Sequence, residues 1–182
     1  MLELSFPSFE GYDDIEECFF TIEGRVIHLE HSLSSLAKWE SKWRVPFMQY
    51  EGTEPKTIEQ MVDYVRCMTL DDDVDPRLYS LVDTKMLNYV IEYINEPMTA
   101  TWFKETGSRR NRSIVTAEVI YYWMVTLQIP FECQYWHLNR LLTLIRVCNE
   151  KNAPSKKMRK SSQLRQQAEL NAKRKAQHRT HG

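Results

Sequence analysis

The spacing of apolar and polar positions changes once, near residue 31, and that change divides the chain. Before it, residues 2–6 (LELSF) alternate apolar with polar, which predicts a short strand ended by Pro7. Residues 19–22 and 25–29 are strand-like and flank Glu23-Gly24, where Gly24 can supply positive φ; this predicts a hairpin turning at that pair. The three strands predict a small N-terminal sheet that needs helices to cover it. From about Ser32, apolar groups recur at spacings of three and four (Leu33, Leu36, Ala37, Trp39, Trp43), which predicts a helix stopped by Pro46. Residues 57–60 (TIEQ) fit a capping box ahead of Met61, Val62, Val65 and Met68, so a second helix is expected over 58–68. Asp83 or Thr84 caps a third, with Leu87, Val90, Ile91 and Ile94 as its stripe and Pro97 soon after its end.

Residues 114–154 carry the densest run of large apolar and aromatic side chains, broken at Pro130. Ser113 or Thr116 opens a helix to about Leu127 that is apolar nearly all round, which predicts burial on most sides. A further helix is expected from about Cys133 to Asn149. Leu138, Leu141, Leu142, Leu144, Ile145 and Cys148 fall on one arc of it, and Asn139, Thr143, Arg146 and Glu150 on the other. The joint at 129–131 is short enough for the two helices to pack together. Beyond 154 the large apolar residues dwindle to Met158, Leu164 and Leu170 among helix formers, so a helix over about 156–177 is expected to be exposed or to order only against a partner. The expected fold class is mainly α, a compact helical domain with a small N-terminal β-hairpin or sheet and a basic C-terminal helix or arm. The boundaries are a globular domain over 1–154 (β region 1–30, helical core 31–154) and a basic helical or disordered tail over 155–182.

Composition changes this picture in two ways. With 42% hydrophobic and 12% aromatic residues the chain can bury a real core, and five glycines argue against a glycine-built phosphate loop or an all-β fold. The net charge of −1 hides an asymmetry: residues 151–182 hold ten Lys and Arg against Glu169 alone, a net of +9, leaving −10 on the first 150. Such a tail fits a polyanion, or an acidic surface on its own chain or a neighbour's. Residues 1–15 contain Glu3, Glu10, Asp13 and Asp14 and no signal-like apolar stretch. The four widely spaced cysteines are therefore expected to be reduced core thiols of a cytoplasmic protein. The longest apolar run, 119–125, is too short for a membrane span.

Candidate chemistry is sparse. Asp71, Asp73 and Asp75 have the opening spacing of a calcium loop, but Pro76 stands where glycine is wanted and Val82 where a bidentate Glu is needed, so calcium is rejected. His28-Leu-Glu-His31 lacks metalloprotease spacing, and Cys133 with His137 has no second ligand pair and no oxyanion donor beside it. Tyr121-Tyr122-Trp123 and Tyr135-Trp136 lack interleaved bases and read as core rather than as a base-stacking platform. Arg109, Arg110 and Arg112 read as an ordinary charged loop. No catalytic, metal or cofactor site is expected. The candidate partner-binding residues are Asn139, Thr143 and Arg146 on the polar face of the last core helix. With them stand Lys156, Lys157, Arg159, Lys160, Arg165, Lys173, Arg174 and Lys175 in the tail.

The strings LEHSLSSLAKWESKWRVPF (29–47), MVDYVRCMTL (61–70), NEPMTATWF (95–103) and IYYWMVTLQIPFECQYWHLNRLLTLIRVCNEKNAP (120–154) resemble the tail assembly chaperones encoded in the tail-gene region of long-tailed bacteriophages, over most of residues 1–175. The resemblance implies a non-enzymatic protein that binds the tape-measure protein, keeps that long chain soluble and helps tail-tube subunits polymerise around it. It implies action in the cytoplasm of the infected host and absence from the finished particle, with no catalytic residues to carry over. Two other readings stand beside it: a structural virion protein of the neck or tail, and a nucleic-acid-binding accessory protein acting through 151–182. Mass spectrometry of purified particles separates the first, and salt-sensitive binding lost on removal of the tail the second.

Overall fold

The computed structural model describes residues 1–13, 17–48, 54–103, 114–153 and 160–178. The chain divides into two compact units, Met1–Asn149 and Glu150–Gly182. The first unit is mainly helical with antiparallel strands at its N-terminus. Strand β1 (Leu2–Phe6) pairs with β4 (Arg25–Leu29), and β2 (Phe9–Asp13) with β3 (Cys18–Ile22).

Both pairs share one register. Leu2 lies opposite Leu29, Phe6 opposite Arg25, Phe9 opposite Ile22 and Asp13 opposite Cys18, so the two residue numbers of every pair have the same sum. The four strands are therefore the arms of one long ribbon, interrupted halfway at Pro7-Ser8 and Glu23-Gly24. The hairpin expected at Glu23-Gly24 is corrected by this: that pair is a break within one arm, and the two strands flanking it do not pair with each other. Pro7 has no N–H to continue the ladder. Gly24 is required by close approach, since a Cβ there would sit 2.8 Å from the backbone nitrogen of Ser8 and 3.1 Å from the carbonyl oxygen of Phe6.

The helices follow the predicted spacing closely. Helix α1 (Leu33–Trp43) is capped by Ser32 and ends at Arg44 in the left-handed region, φ 56°. Helix α2 (Ile58–Met68) opens with the expected capping box: Thr57 Oγ1 accepts from Gln60 N, and Gln60 Oε1 accepts from Thr57 N. A 3-10 turn over Pro76–Leu81 precedes α3 (Thr84–Asn95), which Asp83 caps. Helix α4 spans Ala117–Thr126, a second 3-10 turn Phe131–Tyr135, and α5 Leu138–Asn152. Helix α5 thus begins about five residues later than its apolar pattern suggests. Trp136 is extended, His137 bridges Ser32, and Leu138 N donates to His31 O at 2.7 Å, so the chain pairs with the end of the ribbon before it can coil.

The core lies where β1 and β4 meet α1, α2, α3, α4 and α5, around the fully buried Ile27, Leu29, Leu33, Leu36, Trp39, Tyr64, Ile120, Met124 and Leu141. Each such aliphatic side chain contributes about 1.5–3 kcal/mol of burial. Helix α4 packs chiefly on α1, so the expected pairing of α4 with α5 is not the main contact that α4 makes. In the second unit, α6 (Lys160–His178) is a helix with Leu164 and Leu170 exposed. Among the described residues no helix is long and apolar enough to cross a membrane.

Candidate protein-interaction surface

Helix α4 is apolar on every side, yet it buries only Ala117, Ile120 and Met124, which turn one face to the core. Tyr122 and Val125 are 66% and 60% exposed, and Phe131 and Tyr135 in the following 3-10 turn are 54% and 62% exposed. Positions 118, 121, 122 and 125 share one helical face. Half-buried Tyr121 joins that face to the turn: its ring lies 6.4 Å from that of Phe131 and its hydroxyl donates to Gln134 Oε1 at 2.8 Å. The result is a continuous apolar and aromatic surface with Glu118 and Glu132 exposed beside it. The expectation that α4 is buried on most sides holds only in part: Tyr121 and Trp123 are half-buried against the core, but the side bearing Tyr122 and Val125 is open to solvent. The reading of Tyr122 and Tyr135 as core residues is corrected by their exposure.

Glu40 positions this surface from within. It is buried on α1, yet its carboxylate reaches the start of α4: Oε2 accepts from Ala117 N and Oε1 from Phe47 N, each at 2.7 Å. Thr116 makes no side-chain cap, so a residue 77 positions away supplies the anion at this helix N-terminus. Burial pushes the Glu40 carboxyl above the usual range, against the lowering effect of the two backbone donors.

A second polar cluster forms at His28-Leu-Glu-His31, where the ribbon meets the helices. Glu30 N donates to Met68 O (3.0 Å) and Leu70 N to His28 O (2.9 Å), which fastens the end of α2. Glu30 Oε1 accepts from the Tyr93 hydroxyl of α3 at 2.8 Å. His28 is held by Asp71, with Nδ1 to Oδ1 at 3.0 Å. His31 is buried, with Nδ1 2.6 Å from the Tyr64 hydroxyl and its ring 5.2 Å from that of His137. His137 Nε2 donates to Tyr93 O (3.2 Å) while Nδ1 accepts from Asn139 N (3.3 Å), an arrangement that requires the neutral ring. Burial, reinforced by His137, lowers the His31 pKa to about 3; burial also lowers that of His137. The histidines thus bolt the ribbon to α2, α3 and α5. Cys133 lies in the 3-10 turn and His137 just before α5, so the two do not share a helix.

The sequence-predicted site residues divide three ways. Asn139 is committed to its own chain: Nδ2 donates to Ile94 O (2.9 Å) and Glu96 O (2.7 Å), closing the C-terminus of α3, and Thr143 Oγ1 donates to Asn139 O (2.8 Å). Arg146 lies over the Phe103 ring at 3.9 Å. The polar stripe of α5 is therefore in large part a seam within the fold rather than a free wet face. Replacing Asn139 with Ala should cost about 1–2 kcal/mol in urea unfolding by freeing those two carbonyls; unchanged stability would return Asn139 to the list of partner contacts. In the tail, Arg165, Lys173, Arg174 and Lys175 are exposed on α6, which also contains Lys160, while Lys156, Lys157 and Arg159 lie outside the described residues. The loop bearing Arg109, Arg110 and Arg112 also lies outside them.

Other features offer less. Among the described residues no three His, Cys, Asp or Glu converge to hold a metal ion. Asp71 serves His28 and Asp75 caps the turn at Arg77. Cys133 is buried and Cys67 and Cys148 are half-buried, but Cys18 is exposed on β3, which corrects its expected place in the core. Burial and nearby Asp63 push the Cys67 thiol up to about 11, away from nucleophilic use. An open cleft of about 370 Å³ runs between Trp43, Val62, Asp63 and Tyr79; Asp63 in it is engaged by Lys42 and by the Trp43 indole at 2.9 Å. Comparison with protein-family models, curated proteins and solved structures yields no match, so the likeness to tail assembly chaperones rests on the sequence strings.

Proposed function

We propose that this chain is a non-catalytic assembly factor of the phage tail assembly chaperone kind, which holds a helical segment of a tape-measure or tail-tube protein against α4 and the turn after it. The observation that carries the reading is the uncovered side of α4, where Tyr122, Val125, Phe131 and Tyr135 present large apolar groups to solvent. A flat helix face with aromatic anchors suits an amphipathic helix laid along it, and such a partner loses its own apolar stripe from water in the process. Glu118 and Glu132 at the edge favour a segment with Lys or Arg flanking its apolar stripe. On this reading the protein works in the cytoplasm of the infected host, and the basic α6 is an auxiliary arm. The test is co-expression with the tape-measure protein of the same phage. The expected result is a complex and a gain in that partner's soluble fraction; the absence of both overturns the proposal.

A further inference from the structure

The distal half of the ribbon is a second apolar feature facing solvent. Beyond the break at Pro7 and Gly24, β2 and β3 pair chiefly with each other among the described residues. Side chains alternate between its faces. One face is partly covered: Phe20 lies over Gly11, with Ile22 buried beside it and the Arg77 guanidinium 4.3 Å from the Phe20 ring centre, while Phe9 and Cys18 on the same face are exposed. On the other, Tyr12 and Phe19 stand opposite each other with ring centres 5.0 Å apart, and they are 49% and 84% exposed. The sequence around this pair is acidic without relief: Glu10, Asp13, Asp14, Glu16 and Glu17 lie within residues 10–17, and no base does.

An aromatic pair in so acidic a stretch of sequence selects for cations that also carry apolar or planar surface. This chain already uses that pairing: Arg77 lies over Phe20, Arg140 over Trp136 at 4.3 Å, Arg146 over Phe103 at 3.9 Å, and Lys56 over Phe47 at 4.4 Å. A segment with the complementary composition exists in the same sequence. Residues 151–182 carry ten Lys and Arg against one acid, and Arg165, Lys173, Arg174 and Lys175 are exposed along α6. We infer that the Tyr12–Phe19 face of the ribbon is a docking site for the basic C-terminal segment of a second copy of this chain. The contact is heterologous, since an acidic ribbon meets a basic helix and not another ribbon. It therefore closes only when each copy both gives and receives a tail, or it continues from copy to copy. The site shares no residue with the α4 surface, so loss of one leaves the other to be tested independently.

Sedimentation of the full chain tests the inference. At about 0.02 M salt the protein should self-associate with rising concentration, and at about 0.5 M salt it should be monomeric. The double substitution Tyr12→Ser with Phe19→Ser should weaken association about tenfold. Charge exchange supplies the specific readout. The variant Glu10→Lys with Glu17→Lys, and the variant Lys173→Glu with Arg174→Glu and Lys175→Glu, should each fail to self-associate, while an equimolar mixture of the two associates. A chain that stays monomeric at low salt, including one whose tail folds back on its own ribbon, overturns the inference. So does association unaffected by the ribbon substitutions, or a mixture that remains monomeric.

Discussion

Replacing Glu40 with alanine should destabilise the first unit by roughly 3–5 kcal/mol, as much as truncating a large core residue. Two backbone N–H groups, of Phe47 and Ala117, lose their acceptors at once in a site that water does not reach. Each orphaned buried donor costs about 1–3 kcal/mol, and the start of α4 loses the anion that offsets its dipole. Glu40→Gln keeps one carbonyl oxygen and should lose about half as much. For a chain of this size the alanine variant should melt roughly 10 °C lower. A variant within about 0.5 kcal/mol of the parent would mean that α4 is held by its packing on α1 alone.

Acidification should be the second large effect, and its sign follows from the two buried histidines. Both have pKa values below the ordinary 6.5, so the unfolded chain takes up protons that the folded chain refuses. Their neutral forms support the fold fully above about pH 6.5. That support is lost as pH falls through the window between 6.5 and about 3, the value to which His31 is lowered. Each histidine should contribute a loss of about 1.4 kcal/mol per pH unit until its folded pKa is reached. Geometry gives the same direction for His137: a proton on Nδ1 would face the N–H of Asn139, which now donates to it. Urea unfolding between pH 7.5 and 4.5 should therefore fall steeply for the parent. His31→Gln and His137→Gln should be weaker at pH 7.5 and flatter in their pH dependence. Equal slopes for all three proteins would assign the acid sensitivity to carboxylates instead.

What could be read from the sequence was what depends on near neighbours. Thr57 and Gln60 announce the start of α2 because the capping box closes within four residues, and Asp83 announces α3 by the N-cap bond it accepts from Met86 N. The ribbon was misread because Glu23-Gly24 satisfies the local chemistry of a turn, while the true partner of each strand is set by a register reaching from Leu2 to Leu29. Nothing near Glu40 signals that it will cap a helix 77 residues later. The His28-to-His31 string suggested a metal motif only in outline; its role is visible once Tyr64, Tyr93 and His137 are brought to it from three other elements. Helix α4 shows the limit of periodicity most plainly. An apolar residue on every side says that the helix must be covered, and it does not say whether this chain supplies the cover.

That last point bears on the proposed function, in which the side of α4 left to solvent is the seat of a partner. Exchanging Tyr122 and Val125 for serine changes two exposed side chains and should leave thermal stability within about 0.5 kcal/mol of the parent. The most direct measurement is capture of the tape-measure protein by the parent and by this double variant from co-expressing cells, with the melting temperature of each recorded alongside. The account predicts capture by the parent and a loss of about tenfold or more in the variant at unchanged stability. Equal capture by both proteins would contradict it.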